Sequence, residues 1–453
     1  MKKLHIHYPL LFVLALFFSA QVNAQKVAAG FYHSLFICEN GQLRSVGNNS
    51  YGQLGDGSFS DQLIPVKVAK LTGVTGISAG FSYSYFLAAD STVWRANHNL
   101  SSDNKPVQMP NLSRIIKIYV GNEAIFFLRN DSTVWGIGAN ARGELGDGST
   151  SSRQTPVKPK NLTKIIDVAA GNFHTIFLKS DGTCWSTGRG ADGQLGAGGT
   201  FDRETPGQVL IVSDITAIAC GGYHSLFLKK DSTVWATGYN LDGRLGNDTT
   251  INSIAPEQVK GMSSVTAIAC GFGCSYFLRK DSTVWALGAN PYGELGDSTT
   301  TDRKSPVRVK GISGIVSIAS HGNHTFFIKY DGTLYGVGWN KYGQLGDNTT
   351  IDKIYPVQIT IPCDIPSSIN EVETLPTLTL YPNPTNGLIQ IDLGAEQKEI
   401  CLLVRNLLGE ELSRSYFSNT SKIETTINGA SGIYFIELQN SSSQKRMLKV
   451  VKE

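Results

Sequence analysis

The feature that most limits how this chain can fold is a unit of about 50 residues that recurs seven times. One proline marks the same position in every unit, as Pro65, Pro106, Pro156, Pro206, Pro256, Pro306 and Pro356. Successive prolines are 50 residues apart, except that the first two are 41 apart. So regular a period predicts an array of equivalent modules rather than a set of unrelated domains.

Each unit is expected to form four short β-strands. In residues 215–259 the segments TAIAC, HSLFLK, TVWATG and PEQV have strand composition and are separated by turns or polar loops. The marker proline suits an outer strand, where no N–H donor is needed. Seven such units predict an all-β fold, a seven-bladed β-propeller closed into a ring. A seven-unit solenoid is the alternative, but solenoids need distinct polar end units and the first and last units here are ordinary.

A glycine-rich phrase, NKYGQLGDNTT at 340–350, has the composition of a loop that binds phosphate or a metal ion. Variants begin at residues 49, 140, 240 and 290, so we interpret the phrase as a repeated turn whose glycines supply backbone conformations that other residues resist. GRGADG at 188–193 is the same phrase with Gly190 in the asparagine position, and no βαβ unit follows to bind a dinucleotide. The second unit lacks nine residues of the phrase, which predicts a notch on one face of the ring.

Histidine and tryptophan each recur at a fixed position of the repeat, as His33, His174, His224 and His324, and as Trp94, Trp135, Trp185, Trp235 and Trp285. One metal ion needs ligands at about 2.0–2.1 Å, and equivalent positions of neighbouring blades lie too far apart for that. We therefore predict a structural hydrogen bond inside each blade for the histidines and packing between blades for the tryptophans. Neither a metal site nor a cofactor is predicted.

Acids and bases outside the repeated positions are Glu123, Glu204, Glu257 and His98, and they are scattered among different units. Nothing pairs a nucleophile with a base, or two carboxylates with each other, so no catalytic residue is predicted and the chain is interpreted as non-enzymatic. The formal net charge is +3, which gives no electrostatic basis for binding nucleic acid.

The loops that follow the glycine-rich phrase vary most between units. Phe59, Phe201, Ile251 and Ile351 are apolar residues in otherwise polar loops, while Arg153, Arg203, Arg303 and Lys353 share one repeat position. Loops on one face of a rigid ring form a recognition surface, and aromatic and arginine side chains are typical anchors of such surfaces. These eight residues are the predicted partner-binding residues, with ordinary solvated loops as the alternative.

The first 24 residues are predicted to be a secretory signal peptide. Lys2 and Lys3 precede an apolar run at 9–20, and small residues at 22–24 favour cleavage between Ala24 and Gln25. A membrane anchor is the alternative, although the run is short for a bilayer. No other segment is long and apolar enough to span, so no transmembrane segment is predicted in the mature chain.

Seven cysteines are spread along the chain, and Cys270 and Cys274 are the only close pair. An oxidising compartment permits a disulfide there. Cys220 and Cys270 share a repeat position with Ala170 and Ser320. We therefore prefer the interpretation that this position requires a small buried residue over a disulfide.

The units resemble regulator-of-chromosome-condensation repeats. Ala29–Ser34, Ala170–Thr175 and Gly322–Thr325 match the A-G-x-x-H-[ST] signature of that family, and DGTLYGVGWNKYGQLG at 331–346 matches the rest. The resemblance covers residues 26 to about 362 and implies a seven-bladed propeller. The predicted propeller domain is residues 25–362.

The end of the chain resembles the type A C-terminal sorting domain of the type IX secretion system of Bacteroidetes-type bacteria. The matching segments are LYPNPTNG (380–387), VRNLLGEEL (404–412), SGIYFIEL (431–438) and KRMLKVVKE (445–453). Their motif residues are Tyr381, Pro382, Asn383, Pro384, Gly387, Gly409, Gly432 and Tyr434. A linker at 363–376 and a small β-sandwich of about seven strands at 377–453 are expected, with a generic adhesion sandwich as the alternative.

The resemblance implies that the type IX secretion machinery is one partner, and that the protein passes through the periplasm and the outer membrane to be secreted or held at the cell surface. Four DST turns, at 90–92, 131–133, 231–233 and 281–283, also resemble O-glycosylation acceptor patterns of such bacteria, with an aspartate-capped turn as the compatible structural interpretation. The leading hypothesis is a non-enzymatic propeller that binds a protein or glycan. The alternative is an extracellular polysaccharide hydrolase or lyase.

Overall fold

The computed structural model describes residues 27–38, 41–97, 104–363, 379–406, 411–440 and 445–453. Within these ranges the regular elements are all β-strands. These ranges contain no helix that is long and apolar enough to cross a membrane. The predicted signal peptide and its cleavage site, most of the predicted linker, His98 and Gly409 lie outside the described residues.

The described residues up to 363 form one compact unit, in which consecutive strands build seven antiparallel four-stranded sheets. Blade 1 has β1 (Val27–Ala29), β2 (His33–Ile37), β3 (Leu43–Gly47) and β4 (Gln62–Lys67); blade 2 has β5 (Val74–Ala79), β6 (Ser84–Ala88), β7 (Val93–Ala96) and β8 (Val107–Gln108). Blade 3 has β9 (Ile115–Val120), β10 (Ala124–Arg129), β11 (Val134–Gly138) and β12 (Arg153–Val157); blade 4 has β13 (Ile165–Ala170), β14 (His174–Lys179), β15 (Cys184–Gly188) and β16 (Arg203–Gln208).

The remaining blades repeat this order. Blade 5 has β17 (Ile215–Cys220), β18 (His224–Lys229), β19 (Val234–Gly238) and β20 (Ser253–Gln258); blade 6 has β21 (Val265–Cys270), β22 (Cys274–Arg279), β23 (Val284–Gly288) and β24 (Arg303–Arg308). Blade 7 has β25 (Ile315–His321), β26 (His324–Lys329), β27 (Leu334–Gly338) and β28 (Lys353–Ile359). The predicted four strands per unit are confirmed.

The last blade packs on the first, which closes the ring. Val27 and Phe36 of blade 1 share one buried cluster with Phe326 and Ile359 of blade 7. The hydroxyl of Ser34 also donates to the carbonyl of Gln344 across this junction, at 2.7 Å. The ends of a solenoid do not meet, so the structure is the predicted seven-bladed propeller.

The glycine-rich phrase is a hydrogen-bonded turn. In blade 5 the side-chain oxygen of Asn240 accepts from the amide of Leu245 at 2.9 Å, and its amide donates to the carbonyl of Thr249 at 3.1 Å. The turn places the fully buried side chain of Leu245 in the core between blades 5 and 6. The phrase therefore stabilises the scaffold, as predicted.

The antiparallel pairing gives the ring two distinct faces. His33 pairs with Gly47, so the β1–β2 turn and the long β3–β4 loop of blade 1 lie at the same end of the blade, and the other blades repeat this arrangement. We call that end the loop face. The opposite face carries the DST turns, where the Asp231 carboxylate caps the amide of Thr233 at 3.0 Å.

A disulfide joins Cys38, just after β2, to Cys363, just after the last strand of the propeller. Beside it, the Nε of the buried Arg44 donates to the carbonyl of Pro362 at 2.6 Å. The disulfide considered at Cys270 and Cys274 is not formed, because both thiols are free and buried. Their burial agrees with the preferred interpretation, in which this region needs small core residues.

The described residues from 379 onward form the second compact unit. It is a five-stranded sheet with the order β29 (Thr379–Tyr381), β30 (Leu388–Arg405), β32 (Gly432–Asn440) and β33 (Lys445–Lys452), while β31 (Glu411–Thr426) also pairs with β30. About seven separate strands were expected here, and that number is wrong. The segments LIQIDL and ICLLVRN form the single strand β30, and ELSRSYF and KIETTI form β31, because the pairing continues through an irregularity in register between Asp392 and Gln397.

Within this unit, the YPNPTNG segment is tied to the end of the chain. Asn383 accepts a hydrogen bond from the amide of Val451 at 2.8 Å, and the amide of Thr385 donates to the carbonyl of Val451 at 2.9 Å. Gly387 adopts a φ of 124°, which only glycine adopts readily. The buried ring of Tyr434 donates through its hydroxyl to the carbonyl of Ala430 at 2.6 Å.

Candidate functional site: the aromatic mouth of the loop face

The turns between the first two strands of the blades surround the central channel and are linked head to tail. The amide of Phe31 in blade 1 donates to the carbonyl of Gly80 in blade 2 at 2.9 Å, and the amide of Gly222 donates to the carbonyl of Phe272 at 2.9 Å. Bonds of this kind join blade 1 to blade 2 and run from blade 3 through to blade 7, so most of the turns are fixed by a neighbour. The side chains of the turns consequently stand on a rigid rim.

Aromatic side chains from six blades meet on this face around the channel. The ring centroid of Tyr32 lies 4.9 Å from that of Phe81 and 5.5 Å from that of Trp339. The centroid of Phe31 lies 5.4 Å from that of Phe272, on another blade. All of these rings are partly exposed. We call the set the aromatic mouth: Phe31, Tyr32, Phe81, Phe173, Tyr223, Tyr239, Phe272, Tyr292, Trp339 and Tyr342.

The fold does not require aromatic residues at these positions. The position of Trp339 is occupied by Asn48 in blade 1, Ala139 in blade 3 and Ala289 in blade 6. The position of Phe31 is held by Asn122, Asn172, Gly222 and Gly322 in other blades. Because the same scaffold accepts small or polar residues there, the aromatic rings are not explained by blade packing alone.

Polar groups complete the rim on the side of blades 3 to 5. The amide of Asn122 donates to Asn172 at 2.6 Å, and the amide of Asn172 donates to the hydroxyl of Tyr223 at 2.8 Å. The guanidinium of Arg189 lies 4.9 Å from the centroid of Tyr223 and pairs with Asp192 at 2.5 Å. The arginine charge at this position is therefore compensated within its own loop.

A second arginine near the mouth is compensated in the same way. Arg244 is buried, lies 4.8 Å from the centroid of Tyr239, and donates from Nε to Asp242 at 2.7 Å. A small depression inside the mouth is open to solvent, and Phe31, Asn172 and Phe272 are among the residues that line it. The mouth therefore combines aromatic surface, amide groups and paired charges.

The predicted partner-binding loops lie on the same face. Their apolar residues are exposed to solvent, with 51% of Phe59, 84% of Phe201, 73% of Ile251 and 67% of Ile351 accessible. Large apolar side chains at such exposures gain little from the fold. These four residues stay candidates for contact with a partner.

The cations of these loops divide into two kinds. Three pair with an aspartate of their own loop: Arg153 with Asp147 at 2.7 Å, Arg303 with Asp297 at 2.8 Å, and Lys353 with Asp347 at 2.9 Å. Arg203 differs because Ala197 stands at the aspartate position, and its guanidinium lies 3.5 Å from the carbonyl of Gln208. The loop of Arg203 therefore lacks an aspartate equivalent to Asp297, which pairs with Arg303.

The repeated histidines bond between blades, not inside each blade as we expected. The Nε2 atom of His174 lies 3.0 Å from the hydroxyl of Ser225, which itself donates to the carbonyl of Gln194 at 2.8 Å. The Nε2–H of the imidazole is therefore the donor. Burial lowers the pKa of His33, His174 and His324 to about 3 and that of His224 well below its usual value.

Close packing beside the histidine explains the glycine that precedes it. A Cβ at Gly30 would lie 2.8 Å from the His33 ring and 2.8 Å from the carbonyl of Gly80. The tryptophans behave as predicted and pack between blades: Trp185 of blade 4, for example, contacts the buried cluster formed by Phe126 and Leu145 of blade 3.

The scattered acids of the sequence remain apart. The carboxylate of Glu257 accepts from Asn247 at 2.9 Å and from Ser253 at 2.7 Å, within its own blade. Glu204 is exposed on the outer strand β16, and Glu123 is exposed on an inner turn of the loop face. Among the described residues, no three His, Cys, Asp or Glu side chains are grouped to hold a metal ion.

The aromatic mouth was not predicted, although the sequence contains a signal for it. The two residues between the glycine and the histidine position read FY in blade 1, NF in blade 4 and GY in blade 5. These positions vary between units and are frequently aromatic, whereas the preceding position is glycine in six of the seven units. Variation at these turn positions, like that of the long loops, is the sequence signal for this surface.

The fold and this surface define a propeller protein with an aromatic patch at one mouth of its channel. The RCC1-like domain family matches residues 95–374, and regulator of chromosome condensation (RCC1) repeats match residues 24–53 and 40–87. The chain belongs to the RCC1-like domain family. Residues 379–453 match the secretion system C-terminal sorting domain, so the protein is a secreted propeller, exported by type IX secretion to the cell surface or beyond.

Similar proteins support the fold. Prp20p from Saccharomyces cerevisiae is 18% identical with a TM-score of 0.64, covering 75% of this chain and 87% of that one. Human WBSCR16 is 21% identical with a TM-score of 0.61, covering 67% and 85%. The ultraviolet-B receptor UVR8 of Arabidopsis thaliana is 34% identical over 70 residues, which are 15% of this chain and 16% of that protein. An E3 ubiquitin-protein ligase of Danio rerio, MYCBP2, is 33% identical over 17% of this chain and 2% of its own length.

Proposed function

We propose that this secreted propeller is a non-enzymatic binding protein and that its loop face binds a protein or glycan partner. The observation that carries the proposal is the aromatic mouth, a partly exposed set of rings from six blades that the repeat scaffold does not need. Exposed aromatic surface on a rigid frame is typical of recognition sites.

The loops around the mouth add to the same surface. Phe201 and Ile251 stand on adjacent blades and are 84% and 73% exposed. Arg203 lies in the same loop as Phe201, and no aspartate of that loop holds its guanidinium. Aromatic, aliphatic and arginine groups together resemble the anchors of protein and ligand interfaces.

Matched substitutions on the two faces test the proposal. The secreted protein would be used to capture partners from cell-surface and environmental extracts, and the captured partner identified and titrated. Ile251→Ser and Arg203→Glu, on the loop face, should weaken its binding by tenfold or more. Ile211→Ser and Tyr330→Ser, at 69% and 73% exposed residues of the opposite face, should not. Equal losses on both faces, or no loss on either, would refute a binding role for the loop face.

A further inference from the structure

We propose that the aromatic mouth binds the end of a neutral carbohydrate chain, with Trp339 as the central stacking ring. This inference rests on the proposed binding function and narrows it to one class of partner. It is carried by three observations, which concern the arrangement of the rings, the polar groups beside them and the balance of charge.

The rings around Trp339 form a broad apolar platform on blades 6, 7 and 1. The centroid of Trp339 lies 5.6 Å from those of Tyr292 and Tyr342, and 5.5 Å from that of Tyr32. The Trp339 and Tyr292 rings are inclined by 36°, whereas Tyr342 stands at 82° to Trp339. A sugar ring carries apolar C–H faces, which match the π-faces of tryptophan and tyrosine in size and in polarity.

Hydrogen-bonding groups lie across the channel from this platform. The Asn122–Asn172–Tyr223 chain orients two amides and a phenol, and the Tyr223 hydroxyl accepts its hydrogen bond from Asn172, so its own proton can be donated to a ligand. Sugar hydroxyls are both donors and acceptors, and few other neutral ligands combine them with apolar faces. Pockets that join apolar walls to a few oriented polar groups are typical of small-ligand sites.

The paired arginines near the mouth favour a neutral ligand over an anion, although the ammonium of Lys341 also lies beside the rings of blade 7. Arg189 and Arg244 pair with Asp192 and Asp242 of their own loops. A nucleic acid or an acidic polysaccharide would gain from unpaired cations, and these two guanidinium groups are already neutralised. The depression inside the mouth is small and open to solvent, so a sugar would lie over the rim rather than inside the channel.

Titration with defined neutral glycans tests the inference. Cello-, malto-, xylo-, manno- and chito-oligosaccharides would be added to the secreted protein, and binding followed by calorimetry and by tryptophan fluorescence. We expect at least one of these neutral series to bind. Trp339→Ala should weaken that binding at least tenfold, and Tyr223→Phe should weaken it severalfold by removing the phenol hydrogen bond. Tyr330→Ala on the opposite face is the matched control and should leave affinity unchanged.

The outcomes separate this inference from the function it rests on. Thermal unfolding would first confirm that each variant folds. If no neutral series binds at millimolar concentration while Trp339→Ala still abolishes capture of a protein partner, the carbohydrate inference is wrong and the binding function stands. Binding only of acidic glycans, lost at high salt, also overturns it. If loop-face variants affect neither glycans nor captured proteins, both proposals fail.

Discussion

Cys38 and Cys363 are joined by a disulfide although 325 residues separate them in the chain, with Cα atoms 5.8 Å apart. One cysteine follows the second strand of the first blade, and the other follows the last strand of the seventh. The bond therefore links the two ends of the propeller at the junction where the ring closes. A propeller has no continuous chain across that junction, so the cross-link acts where separation of the blades would begin.

Removal of this cross-link should destabilise the propeller. A disulfide that closes so long a loop is expected to contribute about 2–5 kcal/mol, mainly by restricting the unfolded chain. Cys38→Ser, Cys363→Ser and the double variant should therefore lose similar amounts of unfolding free energy in urea. Reductant should destabilise the parent protein and leave the variants unchanged. Additive losses in the double variant would contradict a shared bond.

Acid should destabilise the propeller through its buried histidines. Their pKa is about 3 in the folded state for His33, His174 and His324, against about 6.5 when unfolded. The stabilisation is complete above pH 6.5 and is lost as pH falls towards 3, by up to about 1.4 kcal/mol per pH unit for each histidine. Urea unfolding between pH 6.5 and 5 measures the slope of unfolding free energy against pH. His174→Gln should lower that slope by the contribution of one proton. An unchanged slope would contradict the neutral, buried form.

The buried carboxyl of Glu294 should change the pH dependence of stability in the direction opposite to that of the histidines. Burial raises the pKa of its carboxyl to about 8, so the folded state holds a proton that the unfolded state releases, and stability falls as pH rises from about 4.5 to 8. Gln53, Gln194 and Gln344 occupy the same repeat position, and the Gln194 side chain accepts the turn amide just as Glu294 does. Glu294→Gln should therefore add on the order of 1–3 kcal/mol at pH 8 and less at pH 5. The converse variant, Gln194→Glu, should lose stability mainly at high pH.

Two arginines at one repeat position should differ in their contribution to stability. Arg303→Ala leaves the carboxylate of Asp297, which is 4% exposed, without its cation, and should cost about 1–3 kcal/mol. Arg203→Ala removes no such pair and should change the unfolding free energy by less than about 0.5 kcal/mol. Chemical denaturation of both variants compares them directly. Equal losses would show that the aspartate pairing is unimportant.

The C-terminal unit should be required for export but not for folding of the propeller. A chain lacking residues 375–453, expressed in a Bacteroidetes-type host, should accumulate in the periplasm. Asn383→Ala should weaken export as well, because it removes the hydrogen bond to Val451 that ties YPNPTNG to the last strand. Fractionation of cells and medium measures both, with Tyr330→Ser as an exported control. Secretion of the truncated chain would contradict a sorting role.

The sequence alone determined much of the architecture. A 50-residue period in register specifies equivalent blades, because each blade is a local antiparallel meander whose strands and turns are encoded within one unit. The asparagine turn around Leu245, the four strands of each blade and the tryptophan packing could all be predicted on this basis. The secretion tail was equally recognisable from short local motifs.

Contacts between units were decided only by the tertiary structure. The partner of His174 is Ser225 in the next blade, 51 residues away, and an identical repeat gives no means of telling a bond inside a blade from a bond between blades. The Cys38–Cys363 bond depends on ring closure, which brings together the two ends of the array. The aromatic mouth likewise joins Tyr32 to Trp339, residues that are neighbours because the blades curve round into a ring, and sequence distance carries no information about that closure.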